Sequence, residues 1–215
     1  MSRIIIVDDH PLFRAALRQT LAGADTAVRV EEAGDLTALS AALEADRDCD
    51  LVLLDLNMPG AHGFSGLLLL RAQYPEVPVM IISAVEDHKV IRRTFELGAA
   101  GYLPKSVGPA EIRGAIDTVL RGEVFVPKGV SLGDDDEQTA FVRRLSSLTP
   151  QQIRVLMMLS DGLMNKQIAY ELSISEATVK AHVSSILQKL DVDSRTQAVI
   201  AASRIEQGQF EALLG

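Results

Sequence analysis

Cysteine is almost absent from this sequence, and long apolar runs are missing altogether. Its single cysteine, Cys49, excludes a disulfide framework or a cluster of thiolate metal ligands within one chain. No apolar run approaches the length of a membrane span, and residues 1–7 lack the small-residue cleavage site of a signal peptide. We therefore expect a cytoplasmic protein without a membrane partner.

Positive charge is in deficit, but unevenly so. The 215 residues carry 21 Lys and Arg against 29 Asp and Glu, a formal net charge of −8, which argues weakly against a nucleic-acid partner. Residues 148–215 carry only six basic and seven acidic side chains, which leaves fifteen and twenty-two for residues 1–147. The last third is therefore close to neutral, and a nucleic-acid partner is not excluded for it.

Short apolar runs alternate with amphipathic stretches over residues 1–122. A continuous run such as Leu51–Leu54 predicts a strand buried on both faces, and an amphipathic pattern that predicts a helix follows each strand. The predicted strands are residues 4–7, 27–32, 51–55, 77–82 and 99–103, and the predicted helices are residues 13–21, 36–43, 64–74, 90–97 and 109–120. Five β-α units predict an α/β domain, a parallel sheet covered on both faces.

Polar side chains stand where these strands end. Asp8 and Asp9 follow the first strand, Asp55 ends the third, Ser83 follows the fourth and Lys105 follows the fifth. Ligands bind at the carboxyl edge of such sheets, so the three carboxylates should meet there and need a cation. Oxygen ligands favour Mg²⁺ over zinc. Magnesium beside a free carboxylate predicts phosphoryl transfer to Asp55, with Lys105 pairing with the phosphoryl oxygens.

Each of these residues also has a simpler interpretation. Asp55 could cap the turn that follows it, Asp8 and Asp9 could cap the helix that starts near Pro11, and Lys105 could be a solvated loop charge. Their common position at strand ends favours one shared site.

The pattern Asp8-Asp9, Asp55, Ser83-Ala84 and Lys105 resembles the receiver domain of two-component response regulators over residues 1–122. The resemblance implies a flavodoxin-like sheet in the order 2-1-3-4-5 and phosphorylation of Asp55 by a sensor histidine kinase. It implies a set of Mg²⁺ ligands: Asp8, Asp9, Asp55 and the backbone carbonyl of Asn57. It implies a second set that binds the phosphoryl group or responds to it: Ser83, Ala84, Tyr102 and Lys105.

Residues 123–147 are predicted to form a linker, with a solvated acidic run at residues 134–137 and a short helix over residues 141–145. Thr149, with Pro150 after it and Gln152 three residues on, predicts a capping box that starts a helix ending at Gly162. We expect Asn165 to cap a second helix and Ser175 to cap a third.

The third of these helices has two distinct faces. One is an apolar stripe at residues 179, 183, 186, 187 and 190. The opposite face is small, polar and basic, and carries Ala177, Lys180, Ala181, Ser184 and Gln188. Such a face after a tight turn suits entry into the major groove of DNA. An ordinary amphipathic surface helix is the alternative.

Residues 148–205 strongly resemble the LuxR-type helix-turn-helix, an all-α domain of four helices, through Leu163–Ala169, Ile174–Val183 and Ser194–Ala198. Together with the receiver pattern, this indicates a response regulator of the NarL/FixJ type, with the DNA-binding domain over residues 148–215. The resemblance implies contacts to double-stranded promoter DNA from Thr178, Lys180, Ala181, His182, Ser184 and Lys189, of which Lys180, Ala181 and Ser184 match base-facing positions. Thr178 and His182 fit phosphate or packing contacts.

Three positions depart from the LuxR-type pattern. Gln152 replaces the usual Glu, Ser173 stands where Gly is usual, and Ser184 replaces a longer hydrogen-bond donor, so base specificity cannot be transferred. We expect a homodimer on paired half-sites. Val199, Ile200 and Ile205 could form the dimer contact or pack on the third helix.

The sequence therefore predicts a transcription regulator that is switched by phosphorylation and is not an enzyme. We expect Ser83 and Tyr102 to convert the added charge into a shift around the fourth helix and fifth strand that releases the DNA helix or its dimer surface. One alternative is a DNA-binding regulator that does not depend on phosphorylation. Another is a phosphatase with an aspartyl nucleophile, although such enzymes need an acid at the position of Asn57.

Overall fold

The fold is taken from a computed structural model, which describes residues 2–22, 28–58, 61–132 and 144–200. Residues 2–120 contain β1 (Ser2–Val7), α1 (Pro11–Ala22), β2 (Val28–Ala33), α2 (Leu36–Ala45), β3 (Leu51–Asp55), β4 (Asn57–Met58), β5 (Ala61–His62), α3 (Ser65–Gln73), β6 (Val79–Ser83), α4 (His88–Glu96), β7 (Gly101–Pro104) and α5 (Pro109–Leu120). Residues 150–190 contain α6 (Pro150–Ser160), α7 (Asn165–Glu171) and α8 (Glu176–Leu190), and residues 195–200 are helical.

Several predicted features lie outside the described residues, namely the acidic run at 134–137, residues 141–143 of the short linker helix, and Ile205. Within the described ranges, no helix combines the length and apolarity needed to cross a bilayer.

One five-stranded parallel sheet organises the first half, in the order β2-β1-β3-β6-β7. This is the predicted order, and the predicted fold class is confirmed. Every residue of β3 and β6 is buried, as expected for central strands covered by helices on both faces. The register pairs Val7 with Leu54, Asp55 with Ile82, and Ser83 with Pro104. It therefore aligns the strand ends at one edge.

Two local features differ from the prediction: a pair of very short strands after β3, and the first residue of α4. A two-residue antiparallel pair, β4 with β5, follows β3 where only a turn was expected, because strands of two residues carry no readable periodicity. Helix α4 begins at His88 rather than residue 90, because the Asp87 carboxylate accepts a hydrogen bond from the backbone N–H of Lys89 at 2.7 Å.

A buried arginine that the sequence analysis did not identify fastens the edge of the sheet. The guanidinium of Arg3 donates to both carboxylate oxygens of Glu31 on β2, at 3.1 and 2.7 Å. It also donates to the carbonyls of Ala42 and Asp46, at 3.0 and 2.6 Å, around the end of α2. Arg3 thereby joins β1, β2 and α2 through charge-assisted hydrogen bonds.

We expect Glu31→Gln to lower the free energy of unfolding at pH 7 by about 1–3 kcal/mol, because Arg3 loses a charged partner. The hydrogen bonds from Arg3 lower the pKa of Glu31 below its ordinary 4.5. The stability that this ion pair adds is therefore complete above pH 4.5 and is lost as the pH falls through the lower folded pKa. Denaturant titrations between neutral and acidic pH should show a shallower acid decline for the variant. Glu123→Gln, which breaks an exposed pair with Arg121, is the control and should show neither effect.

In the second half, the capping box of α6 has the predicted bonds. Thr149 Oγ1 accepts from the Gln152 N–H at 3.3 Å, and Gln152 Oε1 accepts from the Thr149 N–H at 3.0 Å. Ser175 caps α8 as expected, because its Oγ accepts a hydrogen bond from the Thr178 N–H at 3.0 Å. Ser173 has φ +52°, the left-handed conformation that normally favours glycine.

The predicted cap of α7 is wrong. Met164, not Asn165, occupies the N-cap position, and its N–H donates to Gln167 Oε1 at 2.7 Å. Asn165 is instead the first helical residue, and its side-chain oxygen accepts from Arg195 Nη1 at 2.8 Å. The amide therefore joins α7 to the helix over residues 195–200, a long-range contact that local sequence does not reveal.

The two halves meet where α3 packs against α6, and Arg154 Nη2 donates to Gln73 Oε1 there at 3.4 Å. The outer face of α8 lies away from this contact, since Lys180, Ala181 and Ser184 are all exposed. The outer face of the predicted DNA helix is thus exposed among the residues that the structure describes.

Candidate functional site

Three carboxylates converge at the carboxyl edge of the sheet, as the strand ends predict. Possible ligand atoms of Asp8, Asp9, His10 and Asp55 all lie within 4.8 Å of one another. Asp8 and Asp55 are only 2% and 3% exposed, whereas Asp9 is partly exposed. The order of β1 and β3 in the sheet creates this cluster, because the two strands are neighbours and end side by side.

Lys105 supplies the positive charge of the cluster. Its Nζ lies 2.7 Å from Asp8 Oδ2 and 2.9 Å from Asp55 Oδ2, and it also lies 4.6 Å from the centre of the Phe13 ring. Burial alone would lower the pKa of Lys105, but the hydrogen bonds and charges of Asp8 and Asp55 outweigh it and raise that pKa above 10.5. Lys105 therefore remains an ammonium at neutral pH.

The oxygen atoms of this cluster fit a hard divalent cation. Asp8 Oδ2 and Asp9 Oδ1 are buried. Lys105 Nζ lies 2.7 Å from Asp8 Oδ2 and His10 Nδ1 lies 2.7 Å from Asp9 Oδ1, and neither oxygen has a further hydrogen-bond partner among the described residues. Carboxylate oxygens with spare lone pairs are the ligands that Mg²⁺ prefers. Asp8, Asp9 and Asp55 are thus placed to share one ion, and the carbonyl of Asn57 stays a predicted fourth ligand.

Ser83 and Tyr102 are linked through one residue. Ser83 Oγ accepts from the backbone N–H of Val85 at 3.2 Å, and the Tyr102 hydroxyl donates to the carbonyl of Val85 at 2.5 Å. Both side chains are fully buried, and burial raises the pKa of Tyr102 to about 12. The loop after β6 is therefore held by a hydroxyl on each side, one from β6 and one from β7.

A cavity of about 560 Å³ opens over Asp55. Its lining includes the predicted residues Asn57, Ala84 and Lys105, and also His10 and Phe13, which the sequence analysis did not assign to the site. Phe13 fits the apolar pattern of the first predicted helix, and His10 carries no signal beyond its position after Asp9. The sequence thus identified the charged centre of the site but not one wall of its entrance.

The predicted DNA-binding residues occupy different environments on α8. Thr178, Lys180, Ala181 and Ser184 are exposed, and Lys180 Nζ lies 3.2 Å from a carboxylate oxygen of Glu176, one turn earlier. His182 is half-buried. Lys189 is also half-buried, and its ammonium donates to the Ser147 carbonyl and to Gln152 Oε1, at 2.7 and 2.8 Å.

Among the hydrophobic residues of the last described helix, Val199 is half-buried against the core and Ile200 is exposed. The burial of Val199 favours packing within the domain over a dimer contact for this residue. A dimer contact through Val199 or Ile200 stays a prediction.

Comparison with known families matches both halves of the chain. Residues 4–117 match the response regulator receiver domain, and residues 146–202 match the bacterial regulatory proteins of the luxR family. The chain is 42% identical to the glycerol metabolism activator of Pseudomonas putida over 96% of this chain and 97% of that protein. It is 38% identical to the nitrate/nitrite response regulator NarP of Escherichia coli K12, over 92% and 93% of the two chains.

The solved structures that are similar to this chain also include response regulators. A LuxR family DNA-binding response regulator from Silicibacter pomeroyi is 38% identical with a TM-score of 0.54, over 60% of this chain and 98% of that one. RcsB from Salmonella enterica serovar Typhimurium, bound to a promoter, has a TM-score of 0.56 over 95% and 98% of the two chains. At 24% identity, RcsB shows only that the fold is shared.

Proposed function

Because the chain belongs to the DNA-binding transcriptional response regulators of two-component systems, with a receiver domain and a LuxR-type domain, we propose that Asp55 is its phosphoacceptor. The observation that carries this assignment is the buried Asp55 carboxylate, ion-paired with Lys105 at 2.9 Å and open to a cavity large enough for a phosphodonor. Asp8 and Asp9 lie beside it as metal ligands rather than acceptors.

The transfer requires a nucleophile and a means to hold the transferred group. A carboxylate oxygen of Asp55 bonds to phosphorus while the bond from phosphorus to the donor breaks, and in a phosphohistidine the departing imidazole nitrogen takes a proton from solvent. Lys105, whose charged Nζ lies 2.9 Å from Asp55 Oδ2, would then pair with the phosphoryl oxygens. When bound by Asp8, Asp9 and Asp55, Mg²⁺ would neutralise phosphoryl charge.

Phosphorylation of Asp55 would change the conformation of the loop after β6. If Ser83 Oγ turns towards the phosphoryl group, its hydrogen bond with the Val85 N–H is lost. Val85 would then move, and the Tyr102 hydroxyl would move with it, because it donates to the carbonyl of Val85. This loop leads directly into α4. The phosphate, which adds about −1.5 to −2 charge, would thereby shift the face formed by α4 and β7.

The DNA-binding domain would act as one half of a homodimer. The exposed face of α8 is small and basic enough to enter the major groove, with Lys180 and Ser184 as hydrogen-bond donors. A nearly neutral domain gains little from non-specific attraction to phosphates, so one copy should bind weakly. Two copies on half-sites about one helical turn apart would supply the missing affinity.

Treatment of the full chain with acetyl phosphate, with and without Mg²⁺, tests the phosphoacceptor assignment. We expect one phosphoryl group per chain that depends on Mg²⁺ and maps by peptide mass spectrometry to Asp55. Labelling elsewhere, or equal labelling in a chelator, would contradict the assignment. Turnover of a generic phosphate ester would instead support the phosphatase alternative, which Asn57 disfavours because it is an amide at the position where such enzymes need an acid.

A further inference from the structure

The last residues before α6 are fastened to the C-terminal end of α8. The Lys189 ammonium donates to the carbonyl of Ser147 at 2.7 Å. Arg144 Nη2 lies 3.0 Å from the carboxylate of Asp191, and Arg144 Nη1 lies 3.5 Å from the carbonyl of Leu190. Leu145 and Leu148 of the same segment are buried in the core. Residues 144–149 are therefore packed on the helix that carries the predicted DNA contacts.

Gln152 extends this junction into the middle of α8. Its Oε1 accepts from both Lys189 Nζ, at 2.8 Å, and the Thr149 N–H, at 3.0 Å. Its Nε2 donates to Ser185 Oγ at 2.9 Å. Since Gln152 is buried, its amide is committed to these partners. A glutamate here could pair with Lys189 but could not donate to Ser185.

The environment of Lys189 argues against the DNA contact that its position in the sequence suggested. A contact to a DNA phosphate needs an ammonium that can reach out from the surface, as the exposed Lys180 can. Two of the three donors of Lys189 are already used within the domain.

We propose that Lys189 and Gln152 are positioning residues, which set the orientation of α8 relative to residues 144–149, rather than DNA contacts. This inference rests on the proposed function of α8 as the DNA-binding helix. Because residues 144–147 are the last residues of the predicted linker, the bonds of Arg144 and Ser147 would transmit a displacement of the linker directly to α8.

The two roles for Lys189 differ in the salt dependence of DNA binding. We would measure the affinity of the full chain for a labelled duplex of random sequence over a range of salt concentrations, below the unfolding temperature. Each phosphate contact contributes about 0.9 to the slope of log K against log salt. On DNA of random sequence no base contact is selected, so the exposed Lys180 ammonium should lie against a phosphate, and Lys180→Met should reduce the slope by about this amount. Lys189→Met should leave the slope unchanged and lower the affinity on the order of five-fold at every salt concentration.

The Lys189→Met chain should also unfold in its DNA-binding domain at a temperature roughly 4–8 °C lower, because it loses the hydrogen bonds to Ser147 and Gln152 and a loss of about 1 kcal/mol shifts the unfolding temperature of a small domain by that much. Lys189→Arg, which can still donate to the Ser147 carbonyl, should restore most of the DNA affinity. If Lys189→Met does not fold, Ser185→Ala keeps the Lys189 contact, removes the acceptor of the Gln152 amide, and should give a smaller fall in affinity with the same slope.

Two results would overturn the inference. A smaller slope for Lys189→Met would make Lys189 a phosphate contact, and an unchanged affinity with a lower unfolding temperature would make it purely structural. Failure of the proposed function is separable, because it would appear as no salt-dependent binding by the wild-type chain or no effect of Lys180→Met.

Discussion

Asp55→Asn is expected to abolish the increase in DNA affinity that a phosphodonor produces in the wild-type chain. Coupling between two sites of one protein is typically worth about 1–3 kcal/mol, or roughly 5–150-fold in affinity. The variant should show none of it, because an amide is not a nucleophile for phosphorus. Its fold should persist, since the asparagine oxygen can still accept from Lys105 Nζ, which lies 2.9 Å from Asp55 Oδ2.

The measurement is DNA binding before and after acetyl phosphate treatment with Mg²⁺, in parallel with the mass of the intact protein. Asp35→Asn is a matched control, since it makes the same chemical change at an exposed carboxylate that caps α2 and accepts from the Ala38 N–H at 2.8 Å. Asparagine caps helices as well as aspartate, so this variant should respond normally. A full response from Asp55→Asn would place the acceptor, or the whole switch, elsewhere in the chain.

The sheet and the charged centre of the site could be read from the sequence for one physical reason. A parallel sheet aligns its strand ends, so the chain position of each terminal residue also fixes its place in space. Asp8, Asp55 and Lys105 stand directly at such ends, and the structure places Lys105 Nζ 2.7 Å from Asp8 Oδ2 and 2.9 Å from Asp55 Oδ2. The strand order required the resemblance to receiver domains, because alternation alone does not select it.

The remaining features depend on contacts between distant parts of the chain. Arg3 reads as a surface charge before an apolar run, yet β2 and the end of α2 enclose it. Lys189 matches a basic position of a DNA-binding motif, yet its partner Ser147 lies 42 residues away. Asn165 has the residue type of a helix cap, but Arg195 takes its side-chain oxygen. In each case the residue type was informative, and the partner that decides its role was not local.

Lys105→Met is expected to lower the free energy of unfolding in metal-free buffer by about 3–5 kcal/mol, the usual cost of removing one member of a buried ion pair. Asp8 and Asp55 are almost wholly buried and would lose the ammonium that lies within 3 Å of both. The folded pKa of Lys105 is raised, so its stabilising contribution is complete below pH 10.5 and declines only as the pH rises through that higher value. A measurement at pH 7 therefore captures the whole effect.

Denaturant unfolding in a chelator and then in saturating Mg²⁺ would test this expectation. A ligand that binds only the folded state stabilises it in proportion to the logarithm of its concentration over Kd. With Lys105 gone, the three clustered carboxylates should bind the cation more tightly, so Mg²⁺ should stabilise the variant more than the wild type. Lys128→Met removes the same charge from an exposed loop position and should change stability by less than about 0.5 kcal/mol. A Lys105→Met protein as stable as wild type without metal would show that Lys105 is not what compensates these carboxylates.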